Sequence, residues 1–127
     1  MLVGAADTLF GGTKLLTNQY LENGSYRLVM KGDCNLVLVS IKARKDLWQT
    51  NTAGHGKSCN LLLQNNGNMV IFSDSDVVWA SSASWGPNNK YILVLQSDGN
   101  LVIYGGATWE SNTAQQSSAK NNTDPLV

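Results

Sequence analysis

Gln96, Asp98, Asn100 and Tyr104 stand at alternate positions of the stretch QSDGNLVIY, with Val102 among them. An ionised Asp accepts from hydroxyls, the Asn and Gln amides donate and accept, and a phenol does either, so the set suits a neutral polyol. Charge-assisted bonds from hydroxyls to Asp98 would be the strongest. Val102 offers a small apolar surface for the C–H side of a pyranose. Each neutral hydrogen bond contributes only about 0.5 to 1.5 kcal/mol net. A total of roughly 4 kcal/mol corresponds to a dissociation constant of about 1 mM, so useful binding needs several sites on one particle.

Those side chains converge only if the chain turns between them, because eight extended steps of about 3.3 Å would separate Gln96 from Tyr104 by roughly 26 Å. Asp98-Gly99 supplies the reversal, since Gly adopts positive φ without steric cost. A hairpin here lines one shallow pocket the size of a single sugar ring. Two altered copies lie upstream: KGDCNLVLV from Lys31 and QNNGNMVIF from Gln64, where Asn66-Gly67 repeats the turn. Motif starts at 31, 64 and 96 give spacings of 33 and 32 residues. Each copy is followed by a tryptophan in a small polar setting, Trp48 in WQTNT, Trp79 in WASSA and Trp109 in WESNT. Such a period marks three copies of one supersecondary unit, none able to bury its own apolar face.

Aliphatic residues within each copy recur every second position, the period of a strand. Leu28, Met30, Leu36 and Leu38 share one parity with Leu61, Leu63, Met69 and Ile71 and with Leu93, Leu95, Leu101 and Ile103. These twelve are the predicted core, and the other parity is a face for recognition. Trp48, Trp79 and Trp109 are also read as core, and Trp85 in SWGPNNKY as covering a turn or touching a partner.

Charged residues are 14% of the 127-residue chain, below the usual quarter, so turns and neutral polar surface dominate a single all-β domain. Nine basic and nine acidic residues cancel without long runs, which removes the electrostatic footprint of a nucleic-acid binder. No apolar stretch reaches the ~20 residues of a membrane-spanning helix. Two cysteines and one histidine, His55 in AGHGKS, do not make a zinc site. No Ser-His-Asp set and no paired carboxylates are evident, so neither an enzyme nor a cofactor is expected.

Three tandem copies of Q-x-D-x-N-x-V-x-Y resemble the mannose-binding motif of the monocot, or bulb-type, lectins. The resemblance covers about residues 8–113. It includes DCNLVL around Cys34, the second cysteine Cys59, the tryptophan segments and the opening LFGGTKL. It implies a β-prism II fold of three four-stranded antiparallel sheets with internal pseudo-threefold symmetry, the tryptophans near the axis, and metal-free binding of α-mannose and high-mannose glycans. Gln96, Asp98, Asn100 and Tyr104 would bond mannose hydroxyls, with Asp98 and Asn100 on the axial O2 and Val102 against the ring. The first copy keeps Asp33, Asn35 and Val37 but has Lys31 and Val39 in the Gln and Tyr positions. The second keeps Gln64, Asn68 and Val70 but has Asn66 and Phe72 in the Asp and Tyr positions. One competent site per chain is therefore expected. A sugar-inactive interaction module on the same fold is the alternative.

The family places a disulfide at Cys34 and Cys59, which would close a loop of 25 residues; two buried thiols are the other reading. The domain is expected over 1–113, with repeats at about 25–58, 59–90 and 91–113 plus an N-terminal strand, and a flexible tail over 114–127. The opening MLVGAADTLF lacks the charged and apolar regions of an intact signal peptide and looks like a mature N-terminus after an added Met. Sequons at Asn23 and Asn121 and the trimmed tails of relatives agree with secretion or vacuolar storage, in a plant defence or storage role. The resemblance also implies a homodimer in which the last strand, around residues 107–113, exchanges about a hinge at Gly105-Gly106.

Overall fold

The computed structural model describes residues 6–82, 90–105 and 109–115, apart from the side chain of Trp109. Trp85, Gly106, the start of the last repeat's closing segment, the Asn121 sequon and residues 116–127 lie outside the described residues. The chain opens with three short strands, β1 (Thr8–Phe10), β2 (Lys14–Leu15) and β3 (Tyr20–Asn23). Each repeat then contributes three strands. These are β4 (Tyr26–Met30), β5 (Leu36–Ser40) and β6 (Lys45–Gln49); β7 (Asn60–Leu63), β8 (Met69–Ser73) and β9 (Asp76–Ala80); and β10 (Ile92–Leu95), β11 (Leu101–Tyr104) and β12 (Trp109–Glu110).

They form three four-stranded sheets, in the orders β3-β4-β5-β6, β2-β7-β8-β9 and β1-β10-β11-β12. The described pairings are antiparallel and in matching register, with Met30 opposite Leu36, Leu63 opposite Met69 and Leu95 opposite Leu101. Every sheet is thus one repeat completed by one strand of the N-terminal segment, which visits the third, second and first sheets in turn. This is the architecture that the resemblance implies.

All twelve predicted core residues have 0% exposure, so the period-two reading of the core holds residue by residue. Trp48 and Trp79 are half-buried, pack against this core and meet edge to face with centroids 5.8 Å apart. Edge-to-face contact is a favoured aromatic geometry. In two sheets an extra residue bulges opposite the end of the motif, Leu47 at Leu38/Val39 and Val78 at Ile71/Phe72, and both pack onto the core. Such bulges keep an extra residue without breaking the pairing on either side.

The sheets meet at three equivalent seams. Five residues before each motif stand Tyr26, Cys59 and Tyr91, and the fourth motif position holds Cys34, Gly67 and Gly99. Cys59 bonds Cys34 with Cα atoms 5.2 Å apart. Tyr91 lies over Gly67, and Tyr26 lies over Gly99, where an added Cβ would come 2.9 Å from the ring in either case. Disulfide and tyrosine-on-glycine are two chemistries for one position. Through Tyr26 the first sheet supports the very turn that carries Asp98.

Candidate functional site

Each motif folds as the same three-residue loop. In the third copy Gly99 N donates to Gln96 O (3.0 Å) and Gln96 N to Asn100 O (2.9 Å), a turn closed by Gly99 at φ 85°. Gly67 (φ 89°) and, without glycine's freedom, Cys34 (φ 77°) repeat it. A type I turn followed by a left-handed residue is a common three-residue hairpin connection. The third motif position fixes the turn, because its side-chain oxygen accepts from the backbone N–H two residues on: Asp98 from Asn100 at 2.9 Å, Asn66 from Asn68 at 2.9 Å and Asp33 from Asn35 at 3.0 Å. Asn therefore replaces Asp there without loss to the fold. In Asp98 this bond uses Oδ1 and leaves Oδ2 without a protein partner among the described residues.

The hairpin brings Gln96 to Tyr104, as expected, and the Gln96 Nε2 amide donates to the Tyr104 hydroxyl. Val102 forms the floor between them, 3% exposed yet outside the core cluster, and Val70 and Val37 lie equally buried in the other copies. The opposite face is thus not uniformly open. Asn100 is only 8% exposed. Its Oδ1 accepts from Ser111 Oγ (3.0 Å) and Thr113 N (3.1 Å), and its Nδ2 donates to Glu110 Oε1 (2.7 Å). With both acceptor positions filled and one of two N–H groups used among the described residues, a single N–H is left for a ligand. Asn100 can donate to a hydroxyl oxygen while Asp98 Oδ2 accepts the proton of a hydroxyl. A donor beside an acceptor is what a bound sugar hydroxyl requires.

Sequence reasoning missed that the motif Asn latches the outer strand of its own sheet. Asn35 repeats the arrangement with Gln49, Thr50 and Thr52, and Asn68 takes a bond from Ser81. Thr52 and Thr113 in turn donate to the carbonyls of Cys34 and Gly99 at 2.6 and 2.5 Å. The signal was present, since a hydroxyl residue two places after each tryptophan recurs at 50, 81 and 111.

Glu110 was also overlooked. It stands opposite Val102 on the site face, where the first copy has Gln49 and the second Ala80. The second copy, with Phe72 and a 61% exposed Val77 facing each other, has an apolar face where the third has a polar one. The first lacks an aromatic altogether at Val39, and its Lys31 and Asp33 are exposed. The Asn23 sequon has its amide occupied, donating to Leu95 O at 3.1 Å across two sheets. Among the described residues no three His, Cys, Asp or Glu side chains gather as a metal site would require.

No family model matches the chain. It is 37% identical over 108 residues to a mannose-specific lectin of Aloe arborescens, covering 84% of this chain and 97% of that protein. Mannose-specific lectin 2 of Colocasia esculenta is 42% identical over 106 residues, 83% of this chain, and the chain spans 39% of that longer protein. Among solved structures, a monomeric monocot mannose-binding lectin from Gastrodia elata superposes with a TM-score of 0.81 at 37% identity, over 86% of this chain and 99% of that one. The mannose-specific agglutinin of snowdrop, Galanthus nivalis, complexed with methyl α-D-mannoside, gives 0.74 at 40% identity, over 84% and 96%. Three repeat-built sheets, the recurring turn and these likenesses together place the chain in the monocot mannose-binding lectin family, on the β-prism II fold.

Proposed function

We propose that the protein is a lectin that binds α-mannose and high-mannose glycans through the third repeat alone, without metal or catalysis. The observation that carries this is the retention in one copy of the whole set: an Asp98 Oδ2 and an Asn100 N–H without partners among the described residues, the Gln96–Tyr104 pair and the Val102 floor. The second copy has an apolar Phe72 and neutral Asn66 in their places, and the first lacks both Gln and Tyr.

The test is a calorimetric titration with methyl α-mannoside beside the Asp98→Asn variant. That variant keeps the turn, as Asn66 does, and removes only the charge. One site per chain is expected, weakened about tenfold or more in the variant, since a charged hydrogen bond contributes about 1.5 to 3 kcal/mol. Three sites, or a variant that binds as well as the wild type, overturns the reading.

We further propose a homodimer in which β12 exchanges between subunits, as multivalent glycan binding requires. Among the described residues β12 meets β11 at two residue pairs, and the segment after it is held by the Asn100 latch and by bonds from Ser111, Thr113 and Gln115 to the carbonyls of Leu101, Gly99 and Asp98, all of which a partner's copy of the segment could fill equally. Light scattering should give twice the chain mass; a monomeric mass sinks the exchange. A secreted or vacuolar protein serving plant defence or storage accords with a disulfide-bonded lectin.

A further inference from the structure

The sugar-facing side of the third sheet extends well beyond the motif. Paired residues on antiparallel strands point to the same face, and Phe10, Ile92 and Tyr104 stand opposite one another on β1, β10 and β11. The neighbouring row, Leu9, Leu93 and Ile103, is buried in the core, so the Phe10 row faces outward. Tyr104 ends this row on the site, and Phe10 ends it on the sheet edge, two strand spacings or about 10 Å away. Phe10 is 62% exposed, the largest exposure among the bulky apolar side chains described.

Beside it lies a cavity of about 580 Å³ lined by Phe10, Gly11, Asn65, Lys90, Tyr91 and Ile92. That volume, with apolar walls and a few polar groups, is typical of a small-molecule site. Tyr91 is its buried back wall. The Asn65 amide and the Lys90 ammonium are exposed and make no hydrogen bond or ion pair among the described residues, so both can serve hydroxyl oxygens.

We infer that Phe10, Ile92, Asn65 and Lys90 form a second carbohydrate subsite, continuous with the third-repeat site, that takes a further neutral hexose of a mannose oligosaccharide. This rests on the function proposed above and names how that site selects its glycan. The Phe10 ring stacks on the C–H face of the second sugar, as Val102 does on the first. Asn65 and Lys90 bond its hydroxyls, and Ile92 fills the floor between the two rings. The other copies do not repeat the arrangement: the position of Phe10 falls to Leu16 beside the second sheet and to Glu22, opposite Arg27, in the first, so neither has an aromatic ring there.

The experiment measures the affinity of the intact protein for the α1,2-, α1,3- and α1,6-linked mannobioses relative to methyl α-mannoside. The best disaccharide should bind about tenfold tighter, as one added hydrogen bond and a stacking contact would give. In the double variant Phe10→Ala/Lys90→Ala that ratio should fall to about one. Both side chains are exposed, so the core is left intact. A ratio near one in the wild type, or a preference that survives the double variant, overturns the subsite and leaves the primary site standing. Failure to bind methyl α-mannoside at all overturns both readings.

Discussion

Asn100 is a proposed sugar ligand, which was legible in the sequence, and a structural latch, which was not. Its place in the alternating polar set marks it as a candidate sugar ligand, whereas the structure fills three of its four hydrogen-bonding positions with Glu110, Ser111 and Thr113. Removing a buried amide leaves those partners unsatisfied, at a cost of about 1 to 3 kcal/mol each before relaxation. Asn100→Ala should therefore lower stability by about 3 kcal/mol, read from the midpoint of urea unfolding, and a midpoint unchanged would mean the latch holds nothing. For that reason Asp98, not Asn100, is the residue whose replacement isolates sugar binding. Glu110 gives a finer test at the same scale. Glu110→Gln copies Gln49 and should keep both fold and binding, while Glu110→Ala copies Ala80 and should weaken mannoside binding several-fold by leaving the Asn100 amide held on its Oδ1 side alone. Equal affinities for the two variants in the same titration would show that Glu110 does not orient it. Neither the Asn100 latch nor the part played by Glu110 could be read from the motif alone, because the partners sit on a strand beyond the next turn, and pairing register is not visible in composition or period.

At the scale of elements, periodicity was informative wherever strands were long and repeated. The alternation of Leu28, Met30, Leu36 and Leu38 and its two copies predicted a core that is buried without exception. The short strands were not legible in this way: β2 has two residues and β1 three, too few to show a period, and their assignment to different sheets depends on contacts far along the chain. Two of the three seams were likewise invisible, since Tyr91 and Gly67, or Tyr26 and Gly99, belong to different repeats and nothing local links them; the Cys34–Cys59 seam alone was anticipated, through the resemblance. Yet the seams make a firm prediction. Gly67 combines φ 89° with a ring atom 2.9 Å from any added Cβ, so Gly67→Ala forces both backbone strain and a displaced Tyr91. Strain and overpacking of this kind typically cost about 1 to 3 kcal/mol each. Gly24, also at positive φ (58°) but with nothing within 4 Å, is the control that carries the backbone effect alone. Thermal melts should rank Gly67→Ala clearly below Gly24→Ala; the reverse order would mean that Tyr91 yields freely.

At the scale of the molecule, the three seams close a ring: the second sheet reaches the first through Cys59, the third reaches the second through Tyr91, and the first reaches the third through Tyr26. The N-terminal segment binds the ring together by adding a strand to each sheet, with Gly12 N on Leu63 O at 2.6 Å and Leu95 N on Asp7 O at 2.8 Å. One seam is covalent, and its loop of 25 residues should contribute about 3 kcal/mol in the chain-entropy model. The other two remain when it is cut. A Cys34→Ser/Cys59→Ser variant should accordingly lose about 3 kcal/mol of stability and still fold, and the proposed sugar site on the third sheet should persist, because its turn is supported by Tyr26, not by sulfur. Methyl α-mannoside should bind that variant with unchanged affinity at temperatures well below its melting point. A variant that melts lower but binds normally would place the disulfide in the closure of the ring alone. One that folds and yet loses the sugar would mean that the seams are coupled, and that a strain at Cys34 is transmitted around the molecule to Asp98.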